Sequence, residues 1–210
     1  MARKPDPSIR PRIIEQAEHL IHLRGYNGTS LDGIATACGT TKANLIHHFK
    51  SKEELCLAVL DYKMDRTRGE CLTPLAGCEC PVRAVKKMFA DAACFYKNNG
   101  CRAGCFIGNM ALEMSDINDK FRLKAESFFD EWTGCLEASL KRARAAGTFS
   151  PSLKPKSTAE ALLSMYQGAI MIARTRRDPA ILDRIGREAV RLLEDQFSKN
   201  RKREVSNHGS

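Results

Sequence analysis

Side chains that can hydrogen-bond to the edges of DNA bases occur together between Thr41 and His48. A helix over this segment turns Leu45 inward and leaves Lys42 and Asn44 exposed. A lysine ammonium can bind guanine O6 and N7 or a phosphate, and an asparagine amide can pair with adenine through two hydrogen bonds. The small residue between them lets the helix approach closely. The segment predicts DNA contacts from Thr41, Lys42, Ala43, Asn44 and His47, with His48 near the edge of the groove.

The flanking residues predict two short helices joined by a tight turn. Ala35 is small where the second helix must cross the first, and Gly39 follows where the backbone has to turn. Leu45 comes six residues later and fills the angle between the helices. This spacing is typical of a helix-turn-helix.

Residues that cap helices occur at the ends of the predicted pair. Thr29 or Ser30 can cap the first helix, and Thr40 or Thr41 can cap the second. The segment Ser-Lys-Glu-Glu at 51–54 is a capping box, which predicts the start of a third helix.

The segment from Ile13 through Leu60 resembles the amino-terminal domain of the TetR family of bacterial transcriptional repressors. The matching stretches are the leading helix IIEQAEHLIHLRGY, then TSLDGIA, KANLxxHF and KSKEEL. The resemblance implies that the second helix of the pair lies in the major groove and that Ser30 and Lys52 lie near phosphates. The family usually has a tyrosine at the position of Ile46, and that tyrosine contacts a phosphate.

The basic residues favour a polyanionic partner mainly because of where they lie in the sequence. The net charge by itself is a weaker indication. The 34 Lys and Arg against 25 Asp and Glu leave a formal charge of +9. Residues 1–60 contain eight basic and six acidic residues, so this segment carries only 8 − 6 = +2. Its lysines nevertheless flank the predicted recognition helix, where they can meet phosphates.

The remaining sequence has helical periodicity, and the predicted fold class is all-α: a helix-turn-helix DNA-binding head and a helical ligand-binding and dimerisation body. Helices are predicted near 52–70, 82–99, 105–115, 119–146, 157–176 and 179–198, with loops at Pro74 to Pro81, 98–100 and Gly147 to Pro155. The predicted domains are 8–55 for the head and 56–198 for the body, followed by a basic flexible tail at 199–210.

The last two predicted helices are apolar around too much of their circumference to be buried by one neighbour. Such a face usually marks a partner, although a buried helix pair in a monomer is the simpler alternative. In TetR-like proteins the corresponding pair forms a four-helix bundle with its copy. The sequence therefore predicts a homodimer, with an interface that includes Met165, Ala169, Ile172, Ile185, Ala189 and Leu192.

Aromatic and sulfur-containing residues are spread over the body helices. Such a set is more often core than ligand site, but the family resemblance implies an apolar cavity for a small effector. The predicted lining is Phe95, Cys105, Phe106, Asn109, Met110, Trp132, Tyr166 and Gln167. Neither the identity of the effector nor the operator sequence follows from these residues.

The cysteines raise two questions, whether any of them is a reactive thiol and whether any of them binds a metal. Cys101 and Cys105 fall at or just before a predicted helix start, where the helix dipole favours a thiolate. The segment GCFIGNMALEMSD at 104–116 resembles a TetR subgroup that includes acrylate-responsive and electrophile-responsive regulators. In the electrophile-responsive regulators, the cysteine that matches Cys105 is the sensor. A small buried hydrophobic residue is the favoured alternative for Cys105. Cys78 and Cys80 lack further ligands, so no metal site is predicted.

The combined prediction is a ligand-responsive transcriptional repressor that binds a palindromic DNA operator as a dimer and is released by a small molecule. The alternatives are a constitutive dimeric DNA-binding protein and a sensor that acts through Cys105. No motif of a hydrolase, a P-loop or a dinucleotide site occurs, so no catalytic residue and no cofactor is predicted. The sequence has no signal peptide and no apolar run of membrane-spanning length, which predicts a cytoplasmic protein.

Overall fold

The computed structural model describes residues 9–197, and this part of the chain is helical, which confirms the predicted all-α class. Its only β-type pairing is an isolated bridge between Phe149 and Phe197. The helices are α1 (Ile9–Arg24), α2 (Leu31–Cys38), α3 (Lys42–Phe49), α4 (Lys52–Thr67), α5 (Thr73–Gly77), α6 (Pro81–Asn98), α7 (Phe106–Met114), α8 (Asp119–Ala145), α9 (Pro155–Arg176) and α10 (Ala180–Glu194).

The predicted helices of the body occur within a few residues of their expected bounds, and one predicted loop is partly helical. A π-helical segment, Arg68–Leu72, continues α4, and α5 follows directly within the segment expected to be a loop. Pro74 lies in the first turn of α5, where a missing backbone N–H costs no helical hydrogen bond. The sequence prediction treated Pro74 as a loop residue, whereas it lies where the π-helical segment passes into α5.

The chain divides into two compact units. The first comprises residues 9–66 together with Phe106–Ala125, and so contains α1 to α3, most of α4, α7 and the start of α8. Its core is built from side chains with almost no exposure, including Ile13, Ile34, Leu45, Leu55 and Phe121. The predicted domains at 8–55 and 56–198 are continuous in sequence, whereas these compact units are not. The domain bounds therefore remain a prediction.

The second unit comprises Thr67–Cys105 and residues 126–197. Within it α10 packs against α6 and α9. Gly186 permits the close approach of α10 to α6, because a Cβ at this position would lie 2.7 Å from the Cβ of Phe89. The backbone N–H of Ser150 donates to the carbonyl of Gln196 at 2.8 Å and ties the end of α10 to the loop after α8.

The basic tail predicted at 199–210 lies outside the described residues. None of the described helices has both the length and the apolar run that crossing a bilayer requires.

Candidate nucleic-acid interface

The turn between α2 and α3 has the geometry that the capping residues predict. The Ser30 hydroxyl oxygen accepts from the backbone N–H of Gly33 at 3.0 Å, and that of Thr41 accepts from the N–H of Asn44 at 3.2 Å. Gly39 ends α2 in the left-handed conformation, with φ of +62°. Of the paired alternatives, Ser30 and Thr41 are therefore the caps. Thr29 is instead buried and donates its hydroxyl hydrogen to the Gly25 carbonyl.

The recognition helix α3 buries one side and exposes the other. Leu45 and Phe49 have 0% and 3% of their surface exposed, as expected for the inward face. Of the predicted DNA-contacting residues, Thr41, Lys42, Ala43 and His47 are exposed, while Asn44 and His48 are partly exposed. Ile46, where the resemblance expects a tyrosine, is also exposed.

Two of the predicted DNA contacts already have partners within the first unit. The Lys42 ammonium lies 3.0 Å from the Asp32 carboxylate, and both side chains are exposed, so the pair contributes little stability and can be exchanged for a phosphate. The Asn44 amide nitrogen donates to the Thr40 hydroxyl oxygen at 2.8 Å. This nitrogen has a second hydrogen, which together with the amide oxygen forms the pair that recognises adenine.

Aromatic contacts hold basic residues at the edges of this surface. The Lys52 ammonium lies 4.3 Å from the centre of the Tyr26 ring, and the Arg10 guanidinium lies 4.8 Å from that of Phe49. Cation–π contacts of this kind fix a charge without neutralising it. The contact of Arg10 with Phe49, which lies on α3, is not indicated by any local sequence pattern.

The two adjacent histidines of α3, His47 and His48, contact each other. Their rings meet edge-on with centroids 5.3 Å apart. Among residues 9–197, no group of three or more His, Cys, Asp or Glu side chains is arranged to hold a metal ion.

A largely buried ion pair joins α1 to α4. One carboxylate oxygen of Glu18 lies 3.4 Å from His22 Nδ1 and 3.2 Å from Lys63 Nζ, which are ion-pair distances. Burial by itself would raise the pKa of Glu18, but the contacts with His22 and Lys63 outweigh it and lower the pKa to about 2. The carboxylate is therefore charged at neutral pH and fixes α1 on α4.

The segment Phe106–Ala125 is attached to the head by a carboxylate that binds two backbone N–H groups. Tyr26 N–H donates to Glu113 Oε2 at 2.7 Å, and Asn27 N–H donates to Oε1 at 2.8 Å. Gly25 makes this approach possible, since a Cβ there would lie 2.6 Å from the same carboxylate. Glu113 thus holds the turn that follows α1. We name this contact the Glu113 clamp.

Further contacts attach the same segment to α4. Asn118 and Lys120 both donate to the Glu53 carboxylate, at 3.0 and 2.7 Å, and the contact with Lys120 lowers the pKa of Glu53. The Lys124 ammonium binds the Asp61 carboxylate. Sequence reasoning identified the segment at 104–116 as a subgroup marker but missed that its glutamate contacts the head. The contacting groups are too far apart in sequence for local spacing to indicate them.

The residues predicted to line a ligand pocket are divided between the two units. Phe106, Asn109 and Met110 lie on α7 in the first unit. In the second unit the ring of Tyr166 lies 5.4 Å from that of Trp132, and Gln167 follows it on α9. Cys105 directly precedes α7 and ends the second unit's first segment.

Phe95 does not share the burial of Trp132 and Tyr166, the other aromatic residues of the predicted lining in the second unit. It is 52% exposed, about 100° around α6 from the buried Tyr96. The pattern of the sequence identified the aromatic residue but not its side of the helix. Phe95 therefore lies apart from the buried aromatic residues of the second unit.

The prediction of thiolate-favouring positions is wrong for Cys101. This residue lies five positions before α7, in a turn, and burial raises the pKa of its thiol. Burial also raises the pKa of Cys71 to about 11 and that of Cys56 to about 12. The turn has a strained backbone, because Cys101 and Ala103 have φ of +54° and +74°.

The predicted interface residues differ in exposure within the single chain. Ala169 and Ala189 are buried there, because they face the packing of α9 and α10. Ile172 is 38% exposed and Leu192 43%, and Met165 and Ile185 are partly exposed. Met171, which the predicted interface did not include, is also exposed. These larger side chains, rather than the alanines, are available to a partner.

Comparison with known families gives two matches that together span both parts of the chain. Residues 13–59 match the family described as "Bacterial regulatory proteins, tetR family", and residues 81–188 match "Transcriptional regulator LmrA/YxaF-like, C-terminal domain". The chain belongs to the TetR family and is a transcriptional regulator rather than an enzyme.

Individual proteins that are similar to this chain are also transcriptional regulators. The HTH-type transcriptional repressor DhaR of Mycobacterium sp. (strain GP1) is 29% identical over 184 residues, which are 87% of this chain and 89% of that protein. A TetR transcriptional regulator from Chloroflexus aurantiacus has a similar structure, with a TM-score of 0.82 and 27% identity over 90% of this chain and 96% of its own. The structure of AibR in complex with isovaleryl coenzyme A and operator DNA has a TM-score of 0.68 and 25% identity, and covers 90% of this chain and 100% of its own.

Replacing Glu113 tests whether the clamp stabilises the head. We expect Glu113→Ala to lower the free energy of unfolding by about 2–3 kcal/mol, because two N–H groups lose a charged acceptor. Amide hydrogen exchange at Tyr26 and Asn27 should become faster. Asp116→Ala, an exposed acidic residue of the same segment, is the control and should change the urea midpoint little. Equal midpoints for the two variants would contradict the role of the clamp.

Proposed function

We propose that the protein is a repressor that binds a near-palindromic DNA operator as a homodimer and is released by a small-molecule effector. The proposal rests mainly on α3, which is held at a fixed angle by its buried face and presents polar and basic side chains on its other face. A short helix presented in this way fits the major groove. The protein acts on DNA in the cytoplasm.

The base-reading residues are Lys42 and Asn44, each with a different partner in the groove. Lys42 contacts guanine or a phosphate after it leaves Asp32, and Asn44 pairs with adenine while its other hydrogen stays on Thr40. Thr41, Ala43, His47 and His48 complete the contact surface. Ser30 and Lys52 lie near phosphates and set the orientation of the head.

Dimerisation gives the operator its symmetry. Two heads related by a two-fold axis would contact half-sites about 34–36 Å apart, one helical turn of DNA. The exposed apolar residues of α9 and α10, chiefly Met171, Ile172 and Leu192, form the contact between the copies. Their burial in a dimer removes apolar surface from water, which is the main favourable term in association.

The effector binds in the second unit and acts on the head through the chain that joins the two units. The chain passes from one unit to the other within α4, between Cys105 and Phe106, and within α8. Phe106–Ala125 is clamped to the turn after α1, so a displacement of this segment would move the head. A ligand that favours the displaced state lowers operator affinity by its ratio of affinities for the two states. The AibR complex, which holds both a ligand and operator DNA, supports such a function.

Lys42→Ala tests the assignment of the recognition surface. We expect operator affinity to fall about tenfold, and the slope of log K against log salt to decrease by about 1 if Lys42 contacts a phosphate. The melting temperature should stay unchanged, because Lys42 is exposed. The control is Lys141→Ala, which removes a comparable exposed ion pair with Glu137 on α8. Equal operator affinity for the two variants would show that α3 does not read the DNA.

A double substitution tests the dimer surface. Ile172→Glu with Leu192→Glu should give monomers by sedimentation at micromolar concentration, because the contact would bury unpaired charges. Operator affinity should fall with dimerisation, since one head alone makes half of the contacts. Leu112→Glu, at an 83% exposed leucine of the first unit, is the control and should remain dimeric. A wild-type monomer at these concentrations would contradict the proposed interface.

A further inference from the structure

Two buried N–H groups, one on a residue that contacts Tyr166 and one on the residue that follows it, have no hydrogen-bond acceptor among the described residues. One is the indole Nε1 of Trp132, whose side chain is 2% exposed, and the other is the amide Nε2 of Gln167. Trp132 contacts the Tyr166 ring, and Gln167 is the next residue along α9. Buried polar groups in native proteins nearly always have a partner, so these two require an acceptor from outside this part of the chain.

The two groups differ in what they require. An indole N–H can only donate, so Trp132 needs an acceptor atom. The Gln167 amide can donate through its nitrogen or accept through its oxygen, and can therefore adapt to the same acceptor or to a neighbouring atom. The fixed requirement at this position is one hydrogen-bond acceptor.

Trp132 belongs to a series of aromatic rings in contact with one another. The Tyr166 ring lies 5.3 Å from that of Phe89 and 5.4 Å from that of Trp132, and Phe128 lies 6.0 Å from Trp132. All four side chains are buried. These surroundings favour a ligand whose remaining surface is apolar.

The buried titratable groups near Tyr166 are uncharged at neutral pH. Burial raises the pKa of Tyr166 and of Tyr96 well above the ordinary value, and it raises the pKa of Cys71 to about 11. Four charged side chains act on these groups, the cations Arg174 and Lys87 and the anions Glu70 and Asp91, so there is no excess of positive charge. A buried anionic ligand would need an excess of positive charge. The surroundings therefore favour an uncharged ligand.

We propose that the second unit binds an uncharged, largely apolar molecule with a carbonyl-type oxygen, to which Trp132 Nε1 and Gln167 Nε2 donate hydrogen bonds. The proposal deepens the proposed function and rests on it in one respect, namely that this ligand is the effector. Binding satisfies the two donors that have no acceptor within residues 9–197. The oxygen orients the ligand, and the rings contact its apolar part.

Three probes of similar size separate the contributions of the oxygen and of charge. Acetophenone has an uncharged carbonyl, ethylbenzene has no acceptor, and benzoate is an anion. Trp132 is the only tryptophan of the chain, so its fluorescence reports binding beside it directly. We expect saturable change with acetophenone, affinity about three- to tenfold weaker for ethylbenzene because it cannot accept the hydrogen bond, and weaker still for benzoate.

Variants that each remove one donor identify the groups that bind the oxygen. By calorimetry, Gln167→Met and Trp132→Phe should each weaken acetophenone binding about three- to tenfold and leave ethylbenzene binding nearly unchanged. Gln196→Met makes the same exchange elsewhere in the second unit and should bind acetophenone like the wild type. If Trp132→Phe does not fold, the affinities of Gln167→Met for acetophenone and for ethylbenzene still test the hydrogen bond to the oxygen.

Three results would overturn the assignment. They are no effect of acetophenone on Trp132 fluorescence, equal affinity for acetophenone and ethylbenzene, and tighter binding of benzoate than of acetophenone.

Operator binding, measured in the same samples, separates this proposal from the proposed function. Acetophenone binding without operator release would leave the ligand site in place and remove its effector role. Absence of operator binding in the unliganded protein would instead contradict the repressor function.

Discussion

The proposed DNA-reading surface depends on the burial of two side chains beneath a very short helix. With eight residues, α3 is too short to be stable by itself in water. It is helical because Leu45 and Phe49 enter the core of the first unit and because Thr41 satisfies an N–H group at its start. The same burial fixes which residues point outward. The same buried contacts therefore determine both the packing of the core and the orientation of the side chains proposed to contact bases.

The head includes more of the chain than the helix-turn-helix and its leading helix. The Glu113 clamp joins the turn after α1 to a segment more than eighty residues later, and Glu53 adds a second attachment at the start of α4. Both use carboxylates that accept from two donors, an arrangement stronger than a neutral hydrogen bond. Whatever displaces Phe106–Ala125 must therefore act on the position of α1 and, with it, on α3. Under the proposed function, such a displacement would link ligand binding to DNA affinity without any contact between ligand and DNA.

Local patterns predicted the elements well, and they predicted long-range contacts poorly. The spacing of Ala35, Gly39 and Leu45 was sufficient for the helix-turn-helix, because a turn and its two helices are built from neighbouring residues. The face of α6 was harder, and Phe95 lies outside although its residue type favoured the core. The helix dipole at Cys101 was a local argument that failed, because the chain forms a turn there and buries the thiol.

The donors of Trp132 and Gln167 show what sequence alone could not supply. Both were predicted to line a pocket from their residue types and helical positions. That they are buried without acceptors among residues 9–197 follows only from the packing of α8 and α9, which brings the indole against Tyr166. The predicted chemistry of a ligand therefore required the tertiary structure.

Selection of bound duplexes from random-sequence DNA tests the central claim most directly. The account predicts enrichment of one near-palindromic sequence whose half-sites are centred about 10 base pairs, or a multiple of one helical turn, apart. It also predicts that Lys42→Ala relaxes the preference for guanine, and Asn44→Ala the preference for adenine, at an enriched position of each half-site. Failure to enrich any sequence, or enrichment of a site without two-fold symmetry, would contradict a dimeric repressor that reads DNA with α3.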